Sequence, residues 1–258
     1  MLLCIDVGNT NIKLGLFEGE QMRARWRIAT DRGRLADEYA VLLINLLATQ
    51  GLGLEQVSGC ALSSVVPALT EVFGELAQRY LGQAALVLGQ ETPTGMRVNT
   101  DNPAEVGSDL IANALAARHL YGAPVIVVGY GTATTFVAVS AQGDLEGVAI
   151  APGVIASGES LFHATATLPQ VALARPAAAI GKNTVASLQA GMVDGFAGLT
   201  QGVVARIQAE LGGGARVVAT GGLAALIAPE APVIDVVEPE LALIGLRLVY
   251  ELNRAPNL

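Results

Sequence analysis

Leu2-Leu3-Cys4-Ile5-Asp6-Val7-Gly8-Asn9-Thr10-Asn11-Ile12-Lys13-Leu14-Gly15-Leu16-Phe17 is the stretch that decides the fold. The apolar run over residues 2–7 reads as a short buried strand that carries one acid near its end. Gly8-Asn9-Thr10 then turns the chain, and residues 12–17 alternate as a second strand. Glu18-Gly19-Glu20 is a hairpin signal, and residues 22–28 alternate basic with apolar side chains like an exposed third strand. Working outward, residues 35–47 have helical apolar spacing, 57–63 read as a buried strand, Pro67 opens a helix to about 81, and 85–88 form another strand. The first half is therefore β-β-β-α-β-α-β.

Asn102, Pro103 and Glu105 form a helix start signal, with Asn102 as cap, and that helix is predicted to run through residue 117. The second half repeats the order of elements. Residues 125–128 form a strand, Gly129-Tyr130-Gly131 a turn, 132–139 a second strand, and Gln142-Gly143-Asp144 a hairpin into 145–150. Helices are predicted at about 154–164 and 185–211, strands at 216–219 and 233–236, and a last helix from Pro239-Glu240 to about Asn253. No sequence repeat is visible; what repeats is the order, with a glycine turn after each first strand. The pattern predicts two α/β lobes, residues 1–118 and 119–258, around a cleft with a strand-turn-strand hairpin on each wall.

Composition bounds the function. The chain has 258 residues, 15 basic and 23 acidic, for a formal charge of -8, and its arginines are scattered, which argues against a nucleic-acid backbone as partner. Apolar residues make up 52% and aromatics only 4%, so Ala, Val, Leu and Ile must build the core. Mean hydropathy is +0.50, yet no stretch approaches the roughly 18 uninterrupted apolar residues that span a bilayer. The opening apolar run meets Asp6 too soon for a signal peptide, and the expected location is the cytoplasm. Cys4 and Cys60 do not make a disulfide framework.

Five segments carry candidate chemistry. In Asp6-Val7-Gly8-Asn9-Thr10-Asn11-Ile12-Lys13 the acid at the end of a buried strand is placed to hold Mg²⁺ through water. Gly8 lets backbone approach a phosphate, Asn9, Thr10 and the turn N–H groups can donate to it, and Lys13 adds charge. The chain has only two lysines, Lys13 and Lys182, both in glycine-turn segments. Gly129-Tyr130-Gly131-Thr132-Ala133-Thr134-Thr135, at the matching place in the second half, offers glycines and hydroxyls for a second phosphate. Thr220-Gly221-Gly222 joins strand to helix and suits a flat base or ribose, or is simply a tight connection. Asp109, in Val106-Gly107-Ser108-Asp109 and among apolar neighbours, is either partnered or chemically employed; lining the cleft, it could accept a proton from a substrate hydroxyl. Thr184, after Ile180-Gly181-Lys182-Asn183, caps a long helix, binds substrate, or does both. His119 and His163 stand apart with no cluster at zinc-ligand spacing, and no Gly-x-Ser-x-Gly is present.

Taken together, the Asp6 to Lys13 turn, Gly107-Ser108-Asp109, Gly131-Thr132-Ala133-Thr134-Thr135, Ala151-Pro152-Gly153, Gly181 to Thr184 and Thr220-Gly221-Gly222 resemble type III pantothenate kinase in order and spacing. That family belongs to the acetate kinase, sugar kinase, Hsp70 and actin superfamily, and the resemblance runs to about Asn253. It implies a duplicated ribonuclease H-like fold, a homodimer, and Mg-ATP-dependent phosphorylation of pantothenate, the first step of coenzyme A synthesis. By resemblance, Asp6, Val7, Gly8, Asn9, Thr10, Asn11, Ile12 and Lys13 bind ATP phosphates and Mg²⁺, and Thr132 also contacts ATP, with Gly221 and Gly222 beside the nucleotide. Asp109 is the proton acceptor, and Gly107, Ser108, Asp109, Leu110 and Thr184 border pantothenate. Relatives bind ATP weakly and use a monovalent cation, potassium or ammonium.

Some positions depart from the family pattern. Leu110 stands where the family has Arg, Gly129 where it has the Asp that holds the cation, Thr100 where it has Tyr, and Val137 where an Asp follows Thr-Thr-Phe. Leucine cannot replace a planar five-donor cation that clamps a polar substrate, and no cation ligand is expected at Gly129. Beside a pantothenate kinase, two alternatives stay open on the residues. One is a kinase of another small hydroxylated acceptor. The other is a catalytically impaired paralogue that binds a nucleotide or acyl ligand.

Overall fold

Strand β1, Leu2–Val7, is the centre of one of two five-stranded sheets. The computed structural model describes residues 1–254. In the first sheet β2, Asn11–Glu18, and β3, Gln21–Ala29, lie antiparallel on one side of β1, while β4, Gly59–Ser64, and β5, Leu86–Val87, run parallel on the other, giving the order β3-β2-β1-β4-β5. Gly19, with φ +57°, occupies the first central position of the β2–β3 hairpin, a conformation glycine alone adopts without strain. Helices α1, Ala36–Ala48, and α2, Pro67–Tyr80, cover one face, where Leu3, Ile5, Val7, Ile12, Leu14, Leu16 and Leu62 pack against Tyr39, Leu43, Leu69 and Phe73. Strand alternation sends Cys4 and Asp6 to the opposite face.

Helix α3 spans Ser108–Tyr121. The Asn102 signal is used, but for a shorter purpose than the sequence suggests. The Asn102 side chain accepts from the Ala104 N–H at 3.2 Å and caps a single 3₁₀ turn, Pro103–Glu105. The α-helix begins only at Ser108, with the Gly107 carbonyl accepting from the N–H groups of Leu110 and Ile111.

The second sheet repeats the topology. Strands β6, Val125–Tyr130, β7, Ala133–Val139, and β8, Leu145–Pro152, form an antiparallel meander, while β9, Arg216–Thr220, and β10, Val236–Val237, add in parallel to give β10-β9-β6-β7-β8. Gly129 and Tyr130 complete β6 and do not turn the chain; Gly131 and Thr132 do. Helices α4, Val154–Ala164, and α5, Thr184–Glu210, follow, with a short α6, Ala224–Ile227, after β9. Ile126, Val128 and Tyr130 face Val193, Phe196 and Ala197 of α5.

The last helix, α7, Leu241–Arg254, corrects the expected division of the chain at 118/119. One unit contains Met1–Arg97, Asp101–Ala116 and the residues from Leu241; the other contains Val98–Thr100 and Ala117–Glu240. Helix α7 packs on β1, β2 and β4, on the face opposite α1 and α2. Small residues admit it there: Gly15 lies against Leu243, Gly59 against Tyr250, and Gly245 of the helix itself against the Ala112 backbone of α3. A Cβ on Gly245 would collide with the Ala112 carbonyl, which cannot withdraw from its helix. Gly245→Ala is therefore expected to cost about 1–3 kcal/mol of stability. Urea denaturation of parent and variant measures the difference, and an unchanged midpoint would mean the two helices do not cross so closely.

Candidate active site

The site is best built from Asp6. It is 8% exposed at the end of β1, and the strand register sets Lys13 of β2 directly opposite on one side and Ser63 of β4 on the other. Directly paired residues share a face, so these three polar groups stand together on the α3 side of the sheet. Burial pushes the Asp6 carboxyl up to about 6; the charge of Lys13 opposes this, Asp109 adds to it, and a hydrogen bond from Ser63 opposes it. Asp6 Oδ1 is buried and has no hydrogen-bond partner. Burying a polar atom in that state is costly, and a carboxylate oxygen so placed fits a hydrated divalent cation.

Asp109 lies in the first turn of α3. Burial raises its pKa, and the backbone N–H groups of Leu110 and Asp109, together with Lys13, oppose the rise. Lys13 thus acts on both carboxylates, which places all three groups in one electrostatic neighbourhood. A Cβ at Gly107 would sit 2.5 Å from Asp109 Oδ1, so a side chain there would have to displace that carboxylate.

The turn after β1 is held by its own backbone. The Gly8 N–H donates to the Asn11 carbonyl at 3.0 Å, so this donor is spent inside the turn. Thr30 donates through Oγ1 to the Gly8 carbonyl at 2.7 Å and through its N–H to the Thr10 carbonyl at 3.0 Å. Arg32 donates to Asn9 Oδ1 at 3.0 Å, leaving the Asn9 amide NH₂ as the donor end. The side chains of Val7 and Ile12 belong to the apolar core, so a nucleotide can meet only their backbone. Ser63, Thr30 and Arg32 were not identified from the sequence. Ser63 carried one signal, since it is a polar residue near the end of an otherwise apolar strand, as Asp6 is.

The second unit repeats the geometry with different side chains. Gly129 pairs with Thr135 of β7 and Thr220 of β9, the positions equivalent by register to Asp6, Lys13 and Ser63. Gly131 donates to the Ala133 carbonyl at 3.0 Å, so like Gly8 it spends its N–H inside the turn, though across one residue fewer. Thr134 is buried and donates to the Pro152 carbonyl at 3.0 Å, so its hydroxyl is structural, whereas Thr132 is exposed. Gly221, at φ +96°, presses on the backbone of Tyr130, where any side chain would collide; Gly222 beside it is exposed. Thr184 is the first residue of α5 and does not cap it. Asn183 does, accepting from the Ala186 N–H at 2.9 Å, which leaves Thr184 exposed.

The departures have clear surroundings. A Cβ at Gly129 would stand 2.6 Å from Thr135 Oγ1, and the Thr220 hydroxyl is buried without a partner. Val137 is buried in β7, and Thr100 Oγ1 is buried without a partner. Leu110 is half-buried beside Asp109. Gly129 itself offers no side-chain oxygen, and the residues paired with it, Thr135 and Thr220, carry neutral hydroxyls.

Two register-matched sheets of this topology define the class: a duplicated ribonuclease H-like fold, shared with actin-like ATPases and sugar kinases. The activator of 2-hydroxyisocaproyl-CoA dehydratase from Clostridium difficile, solved with bound ADPNP, superposes with a TM-score of 0.54 at 12% identity, over 100% of this chain and 98% of that one. The sequence pattern of type III pantothenate kinase matches residues 2–206. The type III pantothenate kinase of Roseiflexus sp. (strain RS-1) is 53% identical over 255 residues, 99% of this chain and 100% of the relative. That of Moorella thermoacetica (strain ATCC 39073 / JCM 9320) is also 53% identical, over 253 residues, 98% of this chain and 100% of the relative. The chain belongs to the type III pantothenate kinase family.

The buried acid yields a stability test. The Asp6 carboxyl is raised from 3.8 to about 6, so between those values the folded chain binds more protons than the unfolded one. Its contribution is fully present below 3.8 and is lost as pH rises through about 6, a loss on the order of 3 kcal/mol. Relative to Asp6→Asn, the unliganded parent should therefore become progressively less stable from pH 4 to pH 8 (about these limits). Thermal melts of both proteins across that range check this; parallel curves would contradict it.

Proposed function

We infer that the chain is an ATP-dependent kinase that converts pantothenate to 4'-phosphopantothenate, the first step of coenzyme A synthesis. The observation that carries this reading is the pair of sequestered carboxylates, Asp6 and Asp109, both under the influence of Lys13, in a member of this family.

The two acids suit different tasks. Asp6, with an unpartnered buried oxygen, would hold Mg²⁺ through water. Bound there with ATP, Mg²⁺ would neutralise charge on the phosphates. Lys13 adds a second positive charge, and Asn9 and Thr10 present donors at the exposed tip of the turn. Thr132, Gly221 and Gly222 take the nucleotide in the second unit. Asp109 accepts the proton of the pantothenate hydroxyl as that oxygen attacks the γ-phosphorus; the bond from phosphorus to the bridging oxygen breaks and ADP leaves. A base raised by burial stands closer to neutral pH, which favours proton transfer at working pH. Gly107, Ser108, Leu110 and Thr184 border the acceptor, with Leu110 offering an apolar contact in place of a guanidinium.

A homodimer fits the second unit. Ile155, Leu161 and Phe162 of α4 are exposed beside a groove of about 370 Å³ whose lining includes Leu173, Leu188 and Met192. Such a patch on a folded unit marks an association surface, and a second copy of the chain would cover it. No described helix is long and apolar enough to cross a membrane, and a cytoplasmic location suits an enzyme that draws on ATP.

Mg-ATP with labelled pantothenate is the decisive assay, read as phosphopantothenate formed. Asp109→Asn should lower kcat by about 10²–10⁴-fold while leaving nucleotide binding intact. The acid limb of the wild-type pH–rate profile should lie above the ordinary carboxylate range and disappear in that variant. No product from the wild-type enzyme would end this reading. Replacing sodium by potassium should leave the rate unchanged, because Gly129 carries no charge; strong potassium activation would place the ion on other groups.

A further inference from the structure

The segment that follows β3 braces the turn after β1 and brings a cation to it. Thr30 ties the two together by two bonds, through Oγ1 to the Gly8 carbonyl at 2.7 Å and through its N–H to the Thr10 carbonyl at 3.0 Å. Asp31 is fixed to helix α1. Its N–H donates to the hydroxyl of buried Tyr39 at 3.1 Å, and that hydroxyl donates back to the Asp31 carbonyl at 2.8 Å. Both oxygens of the Asp31 carboxylate are engaged: Oδ1 accepts from the Gly33 N–H at 3.0 Å, and Oδ2 lies 3.3 Å from Arg34 Nε. Arg32 stands within this held segment, exposed, and donates to Asn9 Oδ1 at 3.0 Å. Among the described residues no carboxylate pairs with it.

We propose that Arg32 is a phosphate-binding residue, its guanidinium contacting the terminal phosphates of ATP at the exposed tip of the Gly8-Asn9-Thr10 turn. The proposal rests on the kinase reading above, which brings phosphates to that turn. A guanidinium has several N–H donors, and the bond to Asn9 leaves most of them free. The amide oxygen that accepts it is neutral, so the positive charge is not compensated. Arg34 gives the contrast, since the same side chain two residues on is paired with Asp31. An exposed arginine ordinarily gives up rotamer freedom when it binds a ligand. Here the braced backbone and the anchor on Asn9 impose much of that order in the free protein. Phosphate oxygens accept paired N–H groups from a guanidinium fork, a geometry that an ammonium does not reproduce. With Lys13, half-buried on β2, one turn then offers the phosphates two cations of different kind.

The test uses the full chain with Arg32→Ala, Arg32→Lys and Asn9→Ala. Arg23→Ala removes an equal charge at the opposite end of the β2–β3 hairpin and serves as the control. Calorimetric titration with a non-hydrolysable Mg-ATP analogue reads binding without turnover. Arg32→Ala should weaken that binding by about tenfold or more. Arg32→Lys should recover only part of the loss, and Arg23→Ala should bind as the parent does. Made on the Asn9→Ala background, Arg32→Ala should weaken binding further, which separates a phosphate contact from an effect relayed through Asn9. In steady-state assays Arg32→Ala should raise the KM for ATP and leave the KM for pantothenate where it was. A purely structural Arg32 would lower the melting temperature with analogue affinity unchanged, and that outcome overturns the proposal. So does the absence of any further loss on the Asn9→Ala background, or an equal loss in Arg23→Ala. If the wild-type enzyme binds the analogue but forms no phosphopantothenate, the kinase reading falls, yet the calorimetry still decides the role of Arg32.

Discussion

Holding a carboxylate at the buried end of a strand costs folding free energy, and the first unit is arranged around that cost. Asp6 lies between Lys13 and Ser63 because β1 is the central strand, flanked by an antiparallel neighbour on one side and a parallel one on the other. Only that mixed sheet brings a residue from a local hairpin and one from a crossover strand beside the same acid. Helix α3 then supplies a second acid near Lys13. The cost is only partly offset: Lys13 opposes it, yet Oδ1 is buried without a hydrogen-bond partner. Strain of this kind is characteristic of sites that gain their missing partner on binding.

The duplicated sheets show how far a scaffold and its chemistry can be separated. The register, and a glycine directly after the first strand whose N–H is bonded within the turn, recur around Asp6 and around Gly129, although the second turn is one residue shorter. The side chains do not recur. An acid, a lysine and a serine in one unit correspond to a glycine and two threonines in the other. The fold therefore supplies equivalent positions, and composition at those positions assigns the negative charge to one unit alone.

Most of the architecture was legible because period and punctuation agreed. The alternation over residues 22–28, the glycines at 19 and 143 and the proline at 67 each coincide with an element or a turn. Misplaced boundaries have local causes. Asn102-Pro103 is a good helix opener, but the chain makes one 3₁₀ turn there before a second start at Gly107, whose carbonyl takes over the role. Gly129-Tyr130 resembles a turn in sequence, yet β9 and β7 pair with it on both sides and keep it extended. Asp6 and Asp109 stood out as acids among apolar neighbours. Ser63 did not, since a serine in a buried strand is unremarkable until the register shows what lies opposite. The packing of α7 was hidden for a similar reason: Gly15, Gly59 and Gly245 mark close contact only once their neighbours are known.

Helix α7 has a consequence for synthesis. The strands of the first sheet emerge from the ribosome early, and α1 and α2 can cover one face soon after. The face carrying Cys4, Gly15 and Gly59 receives α7 only when residues 241–254 have been made. Until then, a flank of the nascent sheet stays uncovered while the whole second unit is translated, an interval of roughly ten seconds or more at typical elongation rates. Proteins that complete an early unit with a late segment expose that surface to chaperones and to neighbouring chains, so the close-fitting glycines that seat α7 also govern how promptly that exposure ends.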